Sequence, residues 1–147
     1  MMNFKIQAFF TTLMIGSVSA LTISDAISQK VNAQGAPSCN NATIRGSYGT
    51  QFLENSKTEQ IAVVGLIKFD GNGNFQGNDT LSLNGTIANR TVSGNYDVQP
   101  DCTVRMVYVA NINGTGFFNG IIVNSGKEIF IVATNPTTVF TGTFKKV

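Results

Sequence analysis

The stretch Ile61-Ala62-Val63-Val64-Gly65-Leu66-Ile67-Lys68-Phe69, the turn Asp70-Gly71-Asn72-Gly73, and the return run Phe75-Gln76-Gly77-Asn78-Asp79-Thr80-Leu81-Ser82-Leu83 decide the fold class. The first run is rich in β-branched and aromatic residues, which suit a pleated, half-buried surface. The Asp/Asn/Gly cluster tolerates the positive φ that a hairpin turn demands. The return run alternates polar and apolar side chains, so one face is wet and the other buried. Together they read as an antiparallel hairpin.

Facing follows from the same two runs. Lys68 turns Ala62, Val64 and Leu66 to solvent and leaves Ile61, Val63, Gly65, Ile67 and Phe69 inward. Gln76, Asn78, Thr80 and Ser82 likewise send Phe75, Asp79, Leu81 and Leu83 inward. A carboxylate thus lands on the buried face. Taking Asn84-Gly85 as a two-residue turn pairs residues whose numbers sum to 169, so Leu83 faces Thr86, Leu81 faces Ala88 and Asp79 faces Arg90. Arg90 shares its face with Val92, Gly94 and Tyr96, and an ion pair inside the fold follows from register. A satisfied internal salt bridge is the leading reading; a ligand-orienting or catalytic pair is the other.

Outward from this hairpin the pattern resolves into eight strand-like runs, at 44–53, 61–69, 75–83, 86–98, 102–112, 117–124, 127–134 and 139–146. The connectors carry turn chemistry: Asn84-Gly85, Gln99-Pro100-Asp101, Asn113-Gly114-Thr115-Gly116, Ser125-Gly126 and Asn135-Pro136-Thr137. Links this short force each strand antiparallel to the last, because a parallel neighbour needs a crossover of about a dozen residues. The expected fold is all-β, an eight-stranded antiparallel up-and-down barrel, which removes both sheet edges; a two-sheet β-sandwich is the alternative.

A chain of 147 residues, 42% hydrophobic and 12% charged, has one domain's length and a globular balance. The net charge of +2 is small and its carriers are dispersed, which excludes a phosphate-binding stripe and makes nucleic acid an unsuitable partner. At the N-terminus a lightly basic start and the apolar run 6–18 read as a cleavable signal peptide, too short to span a bilayer. Cleavage is expected after Ala33, with Ala20 as the alternative. That division gives a signal peptide at 1–33, a lead at 34–43 and a barrel at 44–147, with no membrane span and a secreted or periplasmic product. Two cysteines, Cys39 and Cys102, form an even count in an exported chain and read as one disulfide. The bridge would draw the lead across one barrel end as a lid and leave any mouth at the other, rimmed by the links near 54–60, 84–85, 113–116 and 135–137.

Catalytic sets are scarce. With no histidine, the Ser-His-Asp, Cys-His and common histidine metal sites are excluded, and no metal or cofactor is implied. Asp70-Gly71-Asn72-Gly73-Asn74 begins like a calcium loop, but Phe75 stands where glycine is required and Leu81 where glutamate belongs. Tyr48, Phe52, Phe69, Phe75, Tyr96, Phe140 and Phe144 point inward as core or as the wall of an apolar pocket, and the inward glycines Gly46, Gly65, Gly77, Gly94 and Gly142 mark bends or room for a ligand. The runs 117–122 and 129–133 are apolar on both parities. Their outer faces need a cover, either a retained N-terminal segment or a second copy of the chain.

Gly46-Ser47-Tyr48-Gly49, then Gly65-Leu66-Ile67-Lys68-Phe69-Asp70-Gly71, then Ser93-Gly94-Asn95-Tyr96 leading to Asp101-Cys102-Thr103, resembles a group of small exported bacterial proteins of unknown function. These are similar in pattern to allene oxide cyclase-like and dirigent-like barrels of the calycin type. The resemblance implies an eight-stranded barrel, often oligomeric, sometimes with an apolar cavity. It brings no catalytic motif. The sequence therefore reads as a non-catalytic binding module for a small apolar or amphipathic ligand or a partner surface, with Tyr48, Phe52 and Tyr96 as apolar wall and Asp79 and Arg90 orienting a polar group. The rivals are an isomerase or cyclase using the cavity, and a structural or interaction protein with a filled core.

Overall fold

Each strand turns back on its neighbour through a short link, and the eighth pairs with the first. The structure, a computed structural model, describes residues 38–55, 60–112, 114–136 and 139–147. The strands are β1 (Gly46–Asn55), β2 (Gln60–Phe69), β3 (Asn74–Leu83), β4 (Thr86–Val98), β5 (Thr103–Ala110), β6 (Thr115–Val123), β7 (Glu128–Ala133) and β8 (Thr141–Lys146). They form a closed antiparallel barrel in sequence order. The closing ladder runs from Tyr48 opposite Lys146 to Leu53 opposite Thr141, so no strand edge is left open and the sandwich alternative is set aside. The proposed signal peptide and both of its cleavage sites lie outside the described residues.

The β3–β4 register is the one that a two-residue Asn84-Gly85 turn dictates: Leu83 opposite Thr86, Leu81 opposite Ala88, Asp79 opposite Arg90. Asn84 and Gly85 both take positive φ, 49° and 84°. At the other end of the hairpin, Asp70 builds the turn itself. Its carboxylate accepts from the backbone N–H of Asn72 and Asn74 and from the Asn74 amide. Those hydrogen bonds hold its carboxyl below the ordinary value.

Several boundaries differ from the sequence reading, most of them at the closed end. The first strand begins at Gly46 rather than residue 44, because Asn41–Ile44 forms a 3-10 turn that stoppers the barrel. Asn40 accepts from Ala42 N–H, and the Thr43 hydroxyl accepts from Asn40 N–H, so the turn is capped on itself. Ile44 is fully buried beneath it. The link after β6 is longer than Ser125-Gly126. Asn124, Ser125 and Gly126 all have positive φ, because the segment must fold under the stopper: a Cβ on Gly126 would stand 2.2 Å from the Thr43 carbonyl oxygen. Cys102 likewise sits in the link before β5 rather than opening the strand. At the open end β5 stops at Ala110, short of residue 112, and β8 starts at Thr141, leaving Val139 exposed outside the sheet.

The bridge between Cys39 and Cys102 exists, with a sequence separation of 63, and it ties the stopper to the β4–β5 link. Cys39 N–H donates to Pro100 C=O, Val98 N–H to the Asn41 side chain, and the Tyr96 hydroxyl to Asn41 C=O. Closing a loop of that length stabilises by about 4 kcal/mol in the chain-entropy account.

Above the stopper the interior is packed with rings. Phe69 is the hub, with its centroid 5.2 Å from both Tyr48 and Tyr96, 5.4 Å from Phe75 and 5.5 Å from Phe144. Two of the inward glycines, Gly94 and Gly142, make room for these rings rather than for a ligand. A Cβ on Gly94 would meet the Phe75 ring at 2.4 Å, and one on Gly142 the Phe52 ring at 2.0 Å.

Tyr48 is wholly buried and its hydroxyl donates to Gly126 C=O. Burial, with Tyr96 adding, pushes its phenol up to about 12. The unfolded chain ionises first, near pH ~10. Tyr48 therefore contributes stability that is complete below about pH 10 and is lost as pH rises through about 12. Tyr48→Phe is expected to cost about 1 kcal/mol at neutral pH and to flatten the alkaline decline, as read by urea unfolding at a series of pH values.

Candidate functional site

The open end of the barrel is lined by residues that the strand alternation turns inward but the rings do not fill. Past Phe52 the interior widens into an open-mouthed cavity of about 390 Å³. Its walls are apolar, with Ile61, Val63, Leu81, Ala110, Phe118 and Phe140 among them. Glu54, Thr115 and Asn135 stand among the rim residues, close to the links that the sequence placed at the mouth. Phe52 separates the two halves: its ring lies 5.3 Å from Phe144 below and 5.5 Å from Phe140 above.

One polar cluster interrupts this wall. Arg90 on β4 donates Nε to Asp79 Oδ1 and Nη2 to Asp79 Oδ2, each at 2.8 Å, and the Tyr108 hydroxyl on β5 also donates to Asp79 Oδ2. Asp79 on β3 is thereby held from two strands. The Asp79 side chain has no exposure and that of Arg90 only 8%. Arg90 and Tyr108 reach the cavity while Asp79 lies behind them. Burial pushes the Tyr108 phenol far above its ordinary value, and its hydrogen bond to the Asp79 carboxylate pushes the same way, so Tyr108 stays protonated. Burial alone would lower the Arg90 guanidinium, but the hydrogen bonds and charge of Asp79 outweigh it and leave it raised.

Of the five residues that sequence reasoning placed at a ligand site, the structure brings Phe52, Asp79 and Arg90 together at the cavity and its floor. Tyr48 and Tyr96 are elsewhere. Both lie at the closed end, packed on Phe69 and hydrogen-bonded to the stopper and the link beneath it, so neither forms part of the cavity wall. Their alternation parity is inward, as read, but parity does not say which end of the barrel a strand position reaches. Tyr108 was missed. Continuing the register through the Gln99–Cys102 link sets Gly94 opposite Tyr108, so a large inward ring beside an inward glycine on the arginine's own strand was a legible signal.

On the outside, Phe117 and Ile121 of β6 and Phe130 and Val132 of β7 are about half exposed, and Ile121 stands directly opposite Phe130. Arg105 of β5, opposite Asn119, and Glu128 of β7, paired with Lys145 of β8, flank this apolar patch. Among the described residues no helix is long and apolar enough to cross a membrane, and no group of three or more acidic or cysteine side chains is placed to hold a metal.

No family model matches the chain, and no curated protein does. Among solved structures, a de novo designed fluorescence-activating β-barrel is similar, with a TM-score of 0.54 at 11% identity over 74% of this chain and 99% of that one. At that identity the likeness speaks for the barrel fold alone.

The buried pair makes a stability prediction. Arg90→Met leaves the Asp79 carboxylate without its partner and is expected to cost about 3 to 5 kcal/mol. The double variant Asp79→Leu with Arg90→Met, which buries no charge, is expected to recover most of that loss. A double-mutant cycle by chemical denaturation checks both.

Proposed function

We propose that this barrel is an exported, non-catalytic binding module that holds a small apolar or amphipathic molecule in its open half. The observation that carries the reading is the cavity of about 390 Å³, a size within the ~300–1,000 Å³ range of small-molecule sites, apolar in its walls and floored by one convergent polar cluster. A solid interior would have left only a structural role, and here only the closed half is solid. The enzyme reading called for an unpaired carboxylate facing the pocket. Asp79 instead accepts three hydrogen bonds from Arg90 and Tyr108, which favours a fixed polar anchor over a proton-transfer group. The structural likeness to a designed fluorescence-activating barrel supports the reading to the extent that this architecture serves such a use. The Cys39–Cys102 bridge supports export, since such bonds persist in oxidising compartments. Kinship with allene oxide cyclase-like and dirigent-like barrels belongs to the same proposal and is supported by the eight-strand meander, not by shared chemistry. The Phe117, Ile121, Phe130 and Val132 patch supports a second copy of the chain as its cover.

Ala110 is buried in the cavity wall, and a larger side chain there projects into empty space. The neutral dye Nile red is expected to bind the native protein with a blue-shifted emission, and Ala110→Phe to weaken that binding at least about tenfold while the melting midpoint holds. Undiminished binding to the filled variant would place the dye on the outer face and sink the cavity reading. For the second copy, sedimentation velocity is expected to show a dimer that Phe130→Lys converts to monomer.

A further inference from the structure

Resting on the cavity reading above, we infer that the ligand presents a neutral hydrogen-bond acceptor, a carbonyl or hydroxyl oxygen on an apolar or aromatic skeleton, to Arg90 Nη1, and that carboxylates and other anions are selected against. The first ground is the count of donors. Arg90 spends Nε and Nη2 on Asp79, and Nη1 has no acceptor among the described residues. No buried side-chain nitrogen or oxygen among those residues lacks a partner, so Nη1 is accessible rather than sealed in; Arg90 is part of the cavity wall beside Tyr108, and the inferred contact of Nη1 is with that cavity. A donor aimed into an apolar pocket is satisfied by a ligand oxygen or by water.

The second ground is the count of charges. A guanidinium at the base of a pocket ordinarily invites an anion. Here its charge is already matched by Asp79 at 2.8 Å, and Tyr108 is a neutral hydrogen-bond donor to the same carboxylate. Among the described residues the remaining ionisable group on the cavity wall is Glu54, near the mouth, and it is acidic. Among those residues the cavity with its buried carboxylate has no surplus positive charge. An entering carboxylate would shed its water among Val63, Leu81 and Phe118 and meet only a cation already neutralised, so its desolvation would go uncompensated. A ketone or alcohol sheds far less and gains the same hydrogen bond. Specificity then rests on a polar pair that is neutral as a unit.

The test compares two probes of one shape, acetylnaphthalene and naphthoate, titrated into the disulfide-bonded protein at neutral pH and followed by naphthyl fluorescence, with displacement by Nile red as a check on the site. Acetylnaphthalene is expected to bind at least about tenfold more tightly. In Asp79→Asn, which frees the Arg90 charge while keeping both donors, naphthoate is expected to gain at least about tenfold relative to the ketone. Naphthoate binding as tightly as the ketone in the native protein would overturn the selectivity and leave the cavity reading standing. Failure of both probes to bind would overturn the two together. The native comparison decides the matter even where Asp79→Asn does not fold.

Discussion

Burying the Asp79 carboxylate inside an apolar barrel would cost several kcal/mol were it not met from two directions. Arg90 reaches it from β4 with a two-pronged contact and Tyr108 from β5 with its hydroxyl. Three consecutive strands are thereby locked in one register, since a slip of one residue would put the arginine on the outside and leave the carboxylate unpaired. The same cluster marks where the packed interior ends. Below it the rings gather around Phe69, and above it the inward apolar residues line the open cavity.

The two ends of the barrel differ because only one is stoppered. Asn41–Ile44 crosses the end from which β1 departs, and it is held there by the disulfide, by Asn41 bonded to Val98 and Tyr96, and by the close approach of Gly126 to Thr43. With that end shut, the apolar surface of the meander can be covered without filling its whole length. An eight-stranded barrel is near the size at which side chains fill the interior or hold one small ligand, and here each outcome occupies one half.

Phe52 and Tyr108 belong to both halves. Their rings meet edge to face at 6.1 Å, and each lines the cavity while packing on the core beneath. A ligand seated there would rest on rings whose positions the core already fixes, and would meet an Arg90 whose orientation Asp79 already fixes. Little would need ordering on binding, which is how a small site reaches useful affinity.

How much of this was legible in the sequence depended on whether the governing interaction was local. Alternation and the Asn84-Gly85 turn determined the strands, the facing of Phe75 and Leu81, and the Asp79–Arg90 pair, because a two-residue link leaves a single register. The even cysteine count determined the bridge, and with it which end would be crossed. Only the tertiary structure decided that Tyr48 and Tyr96 belong to the floor and not to the wall, that Tyr108 completes the cluster, and that Gly94 and Gly142 yield their space to Phe75 and Phe52. The physical reason is that parity fixes only the face of a strand on which a side chain stands. Depth in the barrel, and what is met there, follow from how eight tilted strands close around one another and from a stopper whose contacts come from residues more than fifty positions away in the chain.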